Sequence, residues 1–108
     1  MPEERIRFRN EAVEHSAGDP ESVRQGVTFI LASGYKLSIQ CGSLNYFTRT
    51  SPHGAANAEV AVVGPDGEWA TRAIVAGALG EELDDDVRGH TTAEEIAKIM
   101  AHLQGWTT

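Results

Sequence analysis

Cys41 is the chain's single thiol, and His53 and His90 are the nearest histidines that follow it in sequence. A thiolate–imidazole pair would do nucleophilic chemistry, provided base and sulfur lie within hydrogen-bond reach and a third group orients the base. The flanking residues "SIQCGSLNYFTR" carry no such motif. Cys41 also continues the apolar parity of Tyr35, Leu37 and Ile39, so it is expected to point inward and pack as a small hydrophobe. His15, His53, His90 and His102 show neither H-x-x-H nor C-x-x-C spacing. Zinc sites draw three or four N/S ligands, usually with one close pair in sequence. No catalytic residue, metal site or cofactor is therefore assigned, and the chain is expected not to be an enzyme.

Two other stretches have unusual chemistry. "EELDDD" places Glu81, Glu82, Asp84, Asp85 and Asp86 within six positions. The spacing departs from the D-x-[DN]-x-[DN]-G calcium loop. Clustered carboxylates also imitate the phosphates of nucleic acid and so suit a cationic protein surface. The ordinary alternative is a solvated acidic loop. The second stretch, "GSLNYFTR", lacks both glycine patterns that cradle phosphates. It does contain Tyr46, Phe47 and Arg49, residue types enriched at interface hot spots. Either aromatic could instead close the core. The candidate partner-binding set is Glu81, Glu82, Asp84, Asp85, Asp86, Tyr46, Phe47 and Arg49.

The elements that must position these residues follow from periodicity. "VTFIL" and "YKLSIQC" flank Ser33 and Gly34 as a first hairpin; the second arm alternates apolar and polar residues, as a sheet covered on one face does. A long loop over residues 42–57 follows, then "AEVAVVG", the turn "PDG" and "EWATRAIVA" as a second hairpin. Val60 and Val62 share a face, and Trp69 on the returning strand is expected to cover it. A helix closes the pattern. Thr91 with Glu94, or Thr92 with Glu95, makes a capping box; Ile96, Ile99, Met100 and Leu103 trace one face; Gly105 stops it. The fold class is α+β: a small antiparallel sheet of two hairpins, with a further strand around Val87, packed by one C-terminal helix.

Residues 26–108 form a single domain, since 108 residues bury only one core. Residues 1–25 are a polar extension in which "EERIRFR" alternates as a short strand and "DPESVRQ" reads as one helical turn. Arm and docked extension both remain open. With 16 acidic and 9 basic side chains the net charge is −7, which repels nucleic acid phosphates and anionic membranes and attracts basic proteins. No apolar run approaches the roughly 18 residues of a membrane span. The polar start "MPEERIRFRN" and the lone cysteine make the cytoplasm the expected location.

"GYKLSIQCGSLNYFTR", "AEVAVVGPDGEWAT" and "VRGHTTAEEIAKIMAHL", in that order, resemble small uncharacterised bacteriophage and prophage accessory proteins, over about residues 26–104. Phe47 stands where those proteins often carry a cysteine, so no thiol role transfers. The resemblance implies a phage accessory protein in the cytoplasm of a bacterial host, of the kind that includes anti-CRISPR and other anti-defence inhibitors. The expected function is then a non-enzymatic inhibitor that covers a basic, nucleic-acid-binding surface of a host protein. One alternative is a binder of a nucleotide-like signal, using Arg49, Arg72 or Arg88 for phosphates and Tyr46 for stacking. Another is a self-associating accessory protein, a homodimer paired through a sheet edge.

Overall fold

The alternation in "KLSIQ" becomes the middle strand of a sheet in the computed structural model, which describes residues 5–12, 23–41, 49–51 and 54–105. In chain order the elements are β1 (Arg5–Ala12), β2 (Val23–Ile30), β3 (Lys36–Gln40), β4 (Arg49–Ser51), β5 (Gly54–Ala55), β6 (Asn57–Val63), α1 (Thr71–Leu79), β7 (Arg88–Thr92) and α2 (Ala93–Leu103). Five strands form one antiparallel sheet in the order β1-β2-β3-β6-β7, and β4 and β5 pair separately. The class is α+β, as expected, and the described residues include two helices where one was expected.

Register explains where the core lies. Ile6 pairs with Phe29, Phe29 with Leu37, and Leu37 with Val62. Directly paired residues share a face, so these four make one apolar row across the sheet. Val27, Ile39 and Val60 make the next. Leu37, Val60 and Val62 are fully buried against Ile74 and Val75 of α1 and Ile99 and Leu103 of α2. The first hairpin closes as its residues predict: Gly34, at φ 96°, donates to Leu31 O at 2.9 Å.

The second hairpin does not form. Trp69 makes a single bridge to Val63, and the chain turns into α1 two residues later. Val62 is satisfied without a returning strand: its N–H donates to Thr71 Oγ1 at 2.8 Å, and its carbonyl accepts from the Ala70 N–H at 2.8 Å and from the Thr71 hydroxyl at 3.3 Å. Once both backbone groups are paired, the ladder has nothing more to gain from extension. Alanine-rich "TRAIVAGAL" then favours helix. Thr71, Ile74, Val75 and Ala78 fall on one face, and Gly80 ends the helix at φ 68°. Trp69 is 58% exposed and does not cover the sheet. Because Thr71 is fully buried, Thr71→Val strands the Val62 N–H and lowers the unfolding free energy by about 2 kcal/mol, measurable by urea titration.

The N-terminal segment contains β1 and the start of β2. β1 is a strand, as the alternation of "EERIRFR" predicts, and it pairs with β2 along its whole length. β2 starts at Val23, so Val23, Arg24 and Gln25 are strand rather than helical turn; Asp19–Ser22 lie outside the described residues. The further strand near Val87 is β7, which pairs with β6 through a bulge in which His90 takes φ 51°. α2 begins at the second of the two expected caps: Thr92 Oγ1 accepts from the Glu95 N–H, and Glu95 Oε1 accepts from the Thr92 N–H.

Candidate functional site

The acidic segment joins α1 to β7, and an arginine from each of these elements pins it. Arg88, the first residue of β7, has a side chain only 13% exposed. It forks to Glu81 on one side (Nε to Oε2 2.8 Å, Nη2 to Oε1 3.1 Å) and to Glu95 on the other (Nη2 to Oε2 2.8 Å, Nη1 to Oε1 3.2 Å). Its remaining N–H donates to Thr91 Oγ1 at 3.0 Å. A guanidinium has five donors, and here all five are used. Arg72, on α1, donates to the Asp84 carbonyl at 3.2 Å and lies 3.5 Å from Asp86 Oδ1. The Asp86 N–H donates to Asp85 Oδ1 at 2.7 Å, and Leu83 packs against the core. The segment is therefore tethered along its length, and Glu82, Asp84 and Asp85 face solvent.

Of the five acids expected at a binding surface, then, three point outward. Glu81 and Asp86 are half-buried and engaged with arginines. Hydrogen bonds from Arg88, and secondarily from the Thr92 backbone, hold the Glu95 carboxyl down at about 2; hydrogen bonds from Arg88 likewise lower Glu81. Pairing with these two carboxylates raises Arg88 above its ordinary value. A carboxylate with a depressed folded-state pKa stabilises the fold above its unfolded pKa, and that stability disappears as pH falls through the folded value. For Glu95 the window runs from about 4.5 down to about 2. Urea midpoints of the wild type should fall across it, whereas Glu95→Gln should show a flatter acid limb. The difference in stability at pH 6 should be about 1–2 kcal/mol, after discounting for a side chain 30% exposed.

The other expected residues lie elsewhere. Arg49 opens β4, and Tyr46 and Phe47 are outside the described residues. Cys41 is half-buried just past β3; His90 and His102 are exposed, and His53 lies outside the described residues. All five Arg88 donors are engaged within the chain, and Arg72 is directed at the Asp84 carbonyl and Asp86. Residue type alone marks the anchors poorly. Their signal is spacing: Arg88 stands seven residues from both Glu81 and Glu95, which one hairpin-like return brings to the same guanidinium.

Among the described residues, no group of three or more His, Cys, Asp or Glu side chains could hold a metal ion, and no helix is long and apolar enough to cross a membrane. No family model, no curated protein and no solved structure matches the chain.

Proposed function

We propose that this chain is a non-enzymatic binding protein that lays its acidic loop over a basic, nucleic-acid-binding surface of a host protein, as a phage-encoded anti-defence inhibitor of the anti-CRISPR kind, working in the bacterial cytoplasm. One observation carries the proposal. Arg72 and Arg88 tether residues 81–86 so that Glu82, Asp84 and Asp85 face outward from a fixed backbone. A loop ordered before contact loses less conformational freedom on binding. Complementary charge speeds encounter and sets register. The resemblance to phage accessory proteins supplies the class of partner, and the net charge of −7 supplies the sign.

The decisive variant is Glu82→Gln/Asp84→Asn/Asp85→Asn, which removes three outward charges and leaves the carboxylates paired to Arg72 and Arg88 in place. Its association rate with a DNA-binding defence nuclease should fall about tenfold or more at low salt, and added salt should slow it less than it slows the wild type. Stopped-flow association and displacement of labelled DNA from the nuclease read this out. An unchanged rate in a variant with an unchanged melting temperature would remove the acidic loop from the mechanism.

A further inference from the structure

β1 stands at one end of the sheet order, and among the described residues no strand pairs with its outer edge. Alternate residues of an antiparallel strand aim their N–H and C=O away from the neighbour, so this eight-residue edge offers a row of backbone donors and acceptors. The two faces of the edge differ. Register puts positions 5, 7 and 9 in the rows of Lys36, Ser38 and Gln40. That parity is opposite to the buried Leu37, so the three positions belong to the sheet face away from the helices. All three are arginine, and residues 5–9 hold three of the chain's nine basic side chains and no acidic one. Arg5 and Lys36 are exposed, and neither enters the ion pairs of the described residues. A chain of net charge −7 thus has a locally cationic edge.

The face toward the helices is apolar and incompletely covered. Val62 and Leu37 are fully buried, Phe29 is half-buried, and Ile6, last in the same row, is 55% exposed. α1 packs on β6 and α2 on β7, so a five-stranded sheet is wider than the two helices that cover it. A groove of about 440 Å³ opens beside Ile6, Phe29, Leu31 and Met100. A strand added to β1 meets both faces at once. Its same-face residues recur every 6.6–6.8 Å or about so, as those of β1 do, so acids at every second position stand opposite Arg5, Arg7 and Arg9 in turn. The residues between them fall on the Ile6 side, where apolar side chains continue the row beside the groove. A second copy of β1 is a poor match: antiparallel pairing centred on Phe8 sets Arg7 against Arg9, and like charges directly opposite destabilise a sheet. We propose that β1 accepts, by strand addition, an extended segment of a partner protein in which acidic and apolar residues alternate. β1 and β7 are the two ends of the sheet, so this surface does not depend on the acidic loop that leads into β7.

A capped heptapeptide alternating glutamate and valine is the probe. One control replaces each glutamate by lysine; the other keeps the same residues but groups the glutamates in one block, which preserves charge and loses alternation. In NMR titration of the full chain the alternating glutamate peptide should give saturable amide shifts in β1, slow amide exchange there, and bind more tightly than either control. Arg5→Gln/Arg7→Gln/Arg9→Gln should weaken it about tenfold or more, as expected for the loss of three cross-strand charge pairs. Both peptide controls use the wild-type chain, so a misfolded arginine variant does not decide the outcome. The proposal is overturned if the alternating glutamate peptide gives no saturable shift in β1, if either control binds as tightly, or if an arginine variant of unchanged melting temperature keeps full affinity. Tighter binding of single-stranded decathymidylate than of the peptide also overturns it, since a phosphate backbone is then the occupant. So do β1 shifts that follow protein concentration alone, since a second copy then holds the edge.

Discussion

Arg88→Met should lower the unfolding free energy by about 3 kcal/mol. Among the described residues Arg88 is the one cation facing both Glu81 and Glu95, and it spends every N–H on them and on Thr91. Removing one partner of a desolvated ion pair costs about 3–5 kcal/mol, because the opposite charge is left behind. Two carboxylates would be left here, converging on the same space. Their partial exposure, 42% for Glu81 and 30% for Glu95, moves the expectation to the low end of that range. The same change loosens the acidic loop at its β7 end, so amide exchange over residues 81–87 should accelerate more than exchange in β3. Adding Glu81→Gln and Glu95→Gln to Arg88→Met removes the repulsion, and the triple variant should regain about half of the lost stability. Equal stability of the single and triple variants would mean that repulsion between the carboxylates is not what the arginine relieves.

Leu37→Ala should cost a similar amount, about 3 kcal/mol, for a different reason. Leu37 has no exposed surface, sits on the middle strand, and belongs to the buried cluster that includes residues of both helices. Truncation forfeits the transfer free energy of the lost methyl groups and leaves a cavity that a β-strand held on both sides cannot collapse. Its neighbour Lys36 is exposed on the opposite face, so Lys36→Ala should stay within about 0.5 kcal/mol of wild type. Guanidinium titrations of the pair would test the face assignment directly: the midpoint should move for Leu37→Ala with little change in slope, and hardly at all for Lys36→Ala. A large effect at Lys36 would contradict the register that places Leu37 opposite Phe29 and Val62.

Elements held by short-range chemistry were legible before the fold was known. The β2–β3 hairpin follows from alternation around Ser33 and Gly34, and α2 from the Thr92–Glu95 box and the Ile96, Ile99, Met100, Leu103 stripe. The strand character of "RIRFR" was legible too, but its docking on β2 was not, since pairing partners are chosen by the rest of the sheet. The segment after the PDG turn misled because "EWATRAIVA" has enough β-branched and aromatic residues to read as a strand. Its helical spacing at Thr71, Ile74, Val75 and Ala78, followed by Gly80, was equally present. What decided between them was the Thr71 hydroxyl on the Val62 backbone, a contact nine residues long in sequence and invisible to any local pattern.

The acidic loop divides in the same way. Its composition and position were plain from the residues, because charge is carried by the side chain wherever the backbone goes. Which carboxylates are spent and which are presented was not, because that depends on where two arginines arrive. Arg72 comes from a helix that periodicity left ambiguous, and Arg88 from a strand whose place was set by pairing with β6. By itself the sequence determined the α+β class, the hairpin, the capped helix and the negative exterior, all consequences of residue type at fixed local spacing. Only the tertiary structure decided that the sheet outruns its helices at Ile6 and that three acids of five face outward, since both depend on chain segments meeting across long separations, where packing and ion pairing outweigh local preference.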